Sequence, residues 1–252
     1  MTGRVARGPA QAGKPGAFWI GAAIAAASLG TPPAIHAQNR ISVAFAVTEP
    51  RGELARGIDT FNGPSVTWLR DVGSSRRWAW GLTAVGGEYG AADRPAPLPG
   101  FHARTGSSLV FVLAVLQLER ATSAVQPYLQ ATAGYGSFTT ATTVWCDDCT
   151  YALAETDHEE GTFVAGGSGG LRLRVYQRAR APAGTVEGPT ASPAAEPLRI
   201  DLDFAVRYLR GGEAGYLPGD PVLTEQGTIR MDDRIEESLQ VLQYQVGLSV
   251  AF

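Results

Sequence analysis

The sequence predicts an all-β fold, namely an eight-stranded antiparallel transmembrane up-and-down β-barrel with long extracellular loops. Three observations support this: an alternating C-terminal run, eight strand-like runs in all, and an export segment at the N-terminus. In the closing run, 242–252, large apolar residues occupy every second position up to Phe252. Because neighbouring side chains of a strand point to opposite faces, one face suits hydrocarbon and the other a polar lumen.

The first 37 residues have the three-part pattern of a secretory signal peptide. Arg4, Arg7 and Lys14 precede an apolar run over 17–29, and Ala37 is a small residue suited to cleavage. The apolar run is shorter than the roughly 20 residues that a membrane-spanning helix needs. We therefore expect a signal peptide at 1–37 and one barrel domain at 38–252.

Eight strand-like runs follow, separated by turn-rich stretches. In chain order they cover 41–47, 65–72, 78–84, 108–119, 126–138, 161–176, 198–210 and 242–252. Long and short connections alternate, except that 177–197 is long where a short periplasmic turn is expected; its Ala, Pro, Gly and Thr content indicates a flexible extension. The fourth run is apolar on both faces over 109–116, which predicts a packed lumen side. An even number of antiparallel strands can close without a free edge, as a bilayer requires.

Aromatic residues cluster near one end of the predicted barrel. Trp68, Trp78 and Trp80 flank the first short turn, and Phe252 ends the chain. All four are expected at the periplasmic interface, where amphipathic rings are favoured.

The whole pattern resembles the small eight-stranded outer-membrane barrels of the OmpA/OmpX and opacity-protein type. The signal peptide, the stretch Pro127-Tyr128 to Tyr135-Gly136, the run Leu171-Arg-Leu173 and Phe252 carry the resemblance. It implies the cell outer membrane as the location, with outer-membrane lipid and lipopolysaccharide as surroundings. It also implies that the barrel-assembly machinery reads an insertion signal made of Tyr244, Val246, Leu248, Val250 and Phe252.

Charged residues on two neighbouring predicted strands define the first candidate site. If the apolar residues of these strands face lipid, a lumen charge network points into the barrel: Arg172, Arg174, Asp201, Asp203 and Arg207. Opposite charges across an antiparallel pair stabilise each other, and the bore of eight strands is just filled by side chains. The favoured interpretation is an ion-pair network that plugs the bore; the alternative is a gate or narrow pore.

The only two cysteines form the second candidate site. Cys146 and Cys149 lie in the third predicted loop, and an exported chain meets an oxidising environment, so a local disulfide is expected. A metal site that draws on Asp147, His158, Glu159 or Glu160 is the alternative, although a single CxxC is a weak zinc signal. No metal or other cofactor is otherwise expected.

The sequence gives little sign of enzyme activity. After residue 37 the histidines are His102 and His158, both in predicted loops, and no nucleophile and base are placed together on a strand. Acidic residues number 24 against 21 basic ones, which argues against nucleic acid as a partner. The expected function is a structural or surface-interaction barrel. The alternatives are a narrow porin-like channel, a lipid-A-modifying enzyme and a soluble lipocalin-like binder.

Overall fold

The computed structural model describes residues 39–72, 77–95, 101–120, 124–146, 153–178, 198–216 and 235–252. Eight antiparallel strands form a closed barrel in sequence order, and the first strand pairs with the last. The predicted up-and-down barrel is therefore confirmed. The strands are β1 Asn39–Pro50, β2 Phe61–Val72, β3 Trp78–Pro95, β4 Phe101–Glu119, β5 Val125–Cys146, β6 Leu153–Gln177, β7 Arg199–Tyr216 and β8 Ile235–Ala251. The predicted signal peptide and positions 179–197 of the long connection lie outside the described residues.

Alternation decides which side chains face the bore. Along β8, Gln243 and Ser249 are buried inside, whereas Tyr244, Val246 and Leu248 are exposed on the outer face. Alternation between inward and outward positions also runs along the other strands, and large apolar residues occupy the outward positions of the membrane-facing part of the wall.

A continuous apolar band surrounds the outer face. On β4 it runs from Val110 to Leu118, close to the roughly 9–11 residues with which a tilted strand crosses a bilayer. A water-exposed surface rarely carries so large an apolar area. The band includes Val43, Phe45, Leu82, Val112, Leu116, Leu129, Tyr135, Phe163, Leu171, Phe204, Val206, Tyr244, Val246 and Leu248. Within the described part of the chain, no helix is long and apolar enough to cross a membrane.

The start of β1 and the C-terminal residue Phe252 meet at one end of the barrel, here called the terminal end; the opposite end is the loop end. Asn39 and Phe252 exchange backbone hydrogen bonds of 3.0 and 2.9 Å there. Trp68 and Trp80 pack edge to face at 5.6 Å near the same end, and Trp78 is exposed on the outer face. This arrangement agrees with an aromatic belt at one membrane interface.

The strands extend further toward the loop end than the sequence predicts. β3 continues to Pro95, β4 begins at Phe101, β5 continues to Cys146 and β6 begins at Leu153. The sequence predicts long loops between β3 and β4 and between β5 and β6. This prediction is wrong for most residues of these two connections, because they pair as strands. We call 88–95, 101–108, 139–146 and 153–160 the β3–β6 extension.

Hydroxyl side chains help to hold this extension together. Ser107 and Thr140 are hydrogen-bonded at 2.9 Å, and so are Thr105 and Thr142. Threonine favours strands, and such cross-strand pairs stabilise a sheet. The extension also contains His102 and His158, so the expectation that both lie in loops is wrong.

The inner face of β4 shows how the interior is layered. From the loop end it presents hydroxyls, then buried apolar residues over 109–115, and finally the buried polar pair Gln117 and Glu119. The predicted packed lumen side of this strand agrees with its buried Leu109, Phe111 and Leu113. Charge is thus concentrated near the terminal end of the bore.

Candidate functional site

Charged side chains, most of them buried, form a layer across the bore near the terminal end. We call them the ionic layer: Arg40, Asp71, Glu119, Arg172, Arg174, Arg199, Asp201 and Asp203. They come from β1, β2, β4, β6 and β7. Arg40 and Arg172 are each only 1% exposed, so their charges depend on partners inside the protein.

Glu119 is the centre of this layer. Its carboxylate accepts two hydrogen bonds from Arg40, at 2.9 and 3.1 Å, and one from Arg172 Nη2 at 2.8 Å. Gln117 Nε2 donates a further bond of 2.6 Å. Because β1, β4 and β6 are not neighbours in the barrel, these bonds cross the bore and tie distant parts of the wall together.

The charges predicted on β6 and β7 lie opposite each other in register. Arg172 faces Asp203 and Arg174 faces Asp201. Yet Arg172 Nε is 3.9 Å from Asp203 Oδ2, further than its contact with Glu119. Asp203 Oδ1 instead accepts a hydrogen bond of 2.7 Å from the Tyr128 hydroxyl.

Two further contacts complete the layer on this side. The Arg172 guanidinium carbon lies 4.6 Å from the centre of the Tyr128 ring, a cation–π distance. Arg199 Nε donates a hydrogen bond of 2.8 Å to Asp201 Oδ2. The fifth predicted charge, Arg207, is fully buried on the same inner face but lies further toward the loop end.

Sequence reasoning missed four members of the layer: Arg40, Asp71, Glu119 and Arg199. A signal was present, because each stands at an inward position of its strand, in phase with residues such as Ser42, Leu69 and Gln117. The predicted charge network is limited to two adjacent strands, β6 and β7, which carry several charges each. A single inward-facing charge near the terminal end of β1, β2 or β4 equally predicts a charged side chain in the bore.

A polar zone lies next to the ionic layer. Gln130 Nε2 donates to Gln117 Oε1 at 2.8 Å, and Ser168 Oγ donates to Gln130 Oε1 at 2.7 Å. Beside them is a cavity of about 20 Å³, lined by Ser42, Thr67, Tyr128, Gln130, Arg207 and Gln245 among others. We call it the mid-bore cavity; its volume holds about one water-sized occupant.

An apolar cluster fills the bore between this cavity and the loop end. Its members include Phe61, Val85, Leu109, Phe111, Leu113, Phe138, Val164, Leu209, Tyr216, Leu239 and Val241. Leu54 and Ile58 join it from the β1–β2 connection, where a 3-10 helix spans Leu54–Arg56. The backbone N–H of Arg51 donates to the Gln240 carbonyl at 2.8 Å and so anchors this connection to β8. The connection covers the apolar bore.

Polar side chains surround the loop end. The Tyr216 hydroxyl donates to Glu237 at 2.9 Å, and burial together with this bond raises the pKa of Tyr216. The Gly215 amide donates to Glu160 at 2.9 Å, while His158 Nε2 lies 3.2 Å from the Gly215 carbonyl oxygen. His158 and Glu160 therefore bind structural partners on β7.

The remaining candidate residues are not brought together. His102 stacks on Trp145 at 5.8 Å. Cys146 is the last residue of β5, whereas Asp147 and Cys149 lie outside the described residues, so the disulfide stays a prediction. Among the residues with described positions, no group of three or more His, Cys, Asp or Glu side chains is arranged to hold a metal ion.

Comparison with known proteins gives structural likenesses only. No family model matches the chain, and no curated protein sequence does. The chain is similar to the Neisserial surface protein A, with 14% identity, a TM-score of 0.44, and coverage of 88% of this chain and 100% of that one. It is similar to the attachment invasion locus protein of Yersinia pestis, with 11% identity, a TM-score of 0.36, and coverage of 86% and 100%.

A third similar structure is a major outer membrane protein from Thermus thermophilus, with 9% identity, a TM-score of 0.33, and coverage of 86% and 100%. For the chain itself, the closed topology of eight antiparallel strands confirms the fold expected from the resemblance to small eight-stranded outer-membrane barrels.

Proposed function

We propose that this chain is an outer-membrane barrel that carries no ion current and acts at the cell surface through its loop end. The observation that carries the proposal is the filled bore: the ionic layer and the apolar cluster follow each other along the axis. With the terminal end at the periplasm, as short turns on that side favour, the β3–β6 extension lies outside the cell.

Two features support a bore closed to ions. The ionic layer crosses the bore through the Arg40–Glu119–Arg172 bonds, and an ion passing it has to break buried charge pairs. Beyond it the apolar cluster presents mainly hydrocarbon side chains, which do not replace the hydration shell of an ion. The mid-bore cavity, at about 20 Å³, is a pocket between these two layers.

A surface role is supported by the outer face of the β3–β6 extension. Above the apolar band this face becomes polar, with Glu88, Arg104 and Glu159 exposed. Arg104 donates a hydrogen bond of 2.9 Å to Glu88, and this contact raises the pKa of Arg104. A paired, rigid sheet presents side chains at fixed positions, which suits recognition of a polar partner better than a flexible loop does.

The experiment has two arms. In planar bilayers we expect the purified chain to give no discrete conductance, and reproducible unitary steps would overturn the closed bore. For the surface arm, the β3–β4 hairpin is shortened above the paired residues Gly90 and Ser107, which leaves the register below intact. Fluorescent whole cells are then tested against a panel of extracellular-matrix proteins.

We expect cells with the full chain to bind at least one matrix protein and cells with the shortened hairpin to lose that binding. A heat-dependent shift on SDS gels, retained in both variants, shows that the barrel still folds. Equal binding by both variants, or none by either, contradicts a surface role for this hairpin.

A further inference from the structure

Two buried side chains that line the mid-bore cavity carry hydrogen-bond donors without partners among the described residues. Arg207 is 1% exposed, and neither its Nε nor its Nη1 has a hydrogen-bond partner among the described residues. Gln245 is 8% exposed, and its Nε2 is likewise unpartnered. Both residues line the cavity. Buried donors without acceptors are rare in folded proteins, so each needs an explanation.

The barrel wall brings these two donors together. In the β7–β8 register Arg207 lies opposite Gln243 and Ala205 lies opposite Gln245, so Arg207 and Gln245 are diagonal neighbours on the inner face. Diagonal neighbours on one face remain within reach of a common group when their side chains are long. One acceptor in the cavity can therefore serve both.

The charges in the terminal half of the bore favour an anion over a water molecule. The described arginines there are Arg40, Arg172, Arg174, Arg199 and Arg207, and the described carboxylates are Asp71, Glu119, Asp201 and Asp203. One positive charge is in excess. Water would satisfy the donors but would leave this charge unbalanced in a buried site.

Asp203 also lines the cavity but is already engaged. Its Oδ1 accepts from the Tyr128 hydroxyl at 2.7 Å, and its Oδ2 faces Arg172 Nε at 3.9 Å. No ion pair joins it to Arg207 in the part of the chain that the structure describes. Arg207 is thus a buried guanidinium that has no carboxylate of the described residues within ion-pair distance.

We propose that the mid-bore cavity binds one small monovalent anion, of the size of chloride or bromide, between the Arg207 guanidinium and the Gln245 side-chain amide. The volume of about 20 Å³ is room for about one small occupant of this size. The ion neutralises the excess charge and stabilises the closed barrel without passing through it.

The test measures unfolding of the detergent-folded protein at constant ionic strength in sodium chloride, bromide, gluconate or sulfate. Bound halide lowers the unfolding equilibrium constant about tenfold once its concentration reaches about ten times its dissociation constant. We expect this effect in chloride and bromide for the wild type and for Arg210→Met, a control on the exposed side of β7. Arg207→Met should lose the difference between halide and gluconate.

Crystals of the wild type soaked in bromide supply a readout that needs no variant. An anomalous peak within hydrogen-bond distance of Arg207 and Gln245 is the expected result. Equal stability of the wild type in chloride and gluconate, or a cavity with a water molecule and no anomalous peak, would overturn the proposal.

Discussion

Arg40 and Glu119 meet across the bore, from the first strand to the fourth, through hydrogen bonds of 2.9 and 3.1 Å. Both side chains are almost completely buried, with 1% and 2% of their surfaces exposed. The pair therefore links two opposite walls of the barrel by a bidentate contact, the strongest geometry available to arginine and a carboxylate.

Removing the charge of Glu119 should destabilise the barrel strongly. Glu119→Gln removes the carboxylate that Arg40 and Arg172 share at hydrogen-bond distance, and loss of one partner of a buried pair costs roughly 3–5 kcal/mol. The measurement is the free energy of unfolding in urea, followed by tryptophan fluorescence. Glu88→Gln is the matched control, since Glu88 also accepts a 2.9 Å bond from an arginine but is 49% exposed. We expect little change there, and similar losses in both variants would contradict a special role for the buried pair.

Leucines on opposite faces of β4 should respond differently to truncation. Leu113 is fully buried in the apolar cluster, whereas Leu116 is 49% exposed in the outer band. Leu113→Ala leaves a cavity inside the bore and should cost about 2–5 kcal/mol of unfolding free energy. Leu116→Ala removes the same atoms from a lipid-facing position and should cost clearly less. A larger loss for Leu116→Ala would mean that the two faces have been assigned the wrong way round.

Two glycines of β6 should differ in their tolerance of alanine. A Cβ at Gly166 would lie 2.0 Å from the Tyr208 carbonyl oxygen, so the backbone of β7 has to move. A Cβ at Gly169 meets only the Leu129 side chain, at 3.6 Å. We expect Gly166→Ala to lower the unfolding free energy by about 1–3 kcal/mol, as overpacking does. Gly169→Ala should fold like the wild type; folding yield is measured by the heat-dependent gel shift.

The predicted Cys146–Cys149 disulfide should make only a small contribution to stability. A bond that closes so short a loop restricts the unfolded chain little, and the entropy model gives about 2 kcal/mol at most. Mass spectrometry of the protein with and without reduction tests the bond by a two-hydrogen mass difference. The variant Cys146→Ser should retain the heat-dependent gel shift; two free thiols in the exported protein would show that the prediction is wrong.

Strand number and facing followed from the sequence because a barrel in lipid needs strict alternation. Tyr244, Val246 and Leu248 face outward while Gln243 and Gln245 face inward, as the period of two predicts. The positions at which the strands end near the loop end could not be predicted from the sequence. In the β3–β6 extension both faces meet polar surroundings, so the run Thr139 to Thr143 shows no alternation and looks like a loop.

The partners of the buried charges were only partly predictable for a different reason. The opposition of Arg172 and Asp203 follows from strand adjacency, and the register shows it. The shorter contact of Arg172 with Glu119 depends on the curvature of the closed wall, which brings β4 and β6 side chains to the same depth in the bore. That curvature cannot be predicted from the residue pattern of a single strand.

Along β4 the outer face meets two different surroundings, hydrocarbon over 110–118 and a polar environment nearer the loop end. Near the terminal end Leu116 points out and Gln117 points in, the inverse of a water-soluble protein. Further along, both faces are apolar, with Val112 exposed outside and Leu113 buried inside, and beyond Val110 the outer face becomes polar with Arg104 exposed. The levels at which the outer face changes between polar and apolar mark how deep the barrel sits in its membrane. A thicker bilayer would have to cover polar side chains, and a thinner one would leave apolar ones wet, so the wall itself sets the membrane thickness that this protein tolerates.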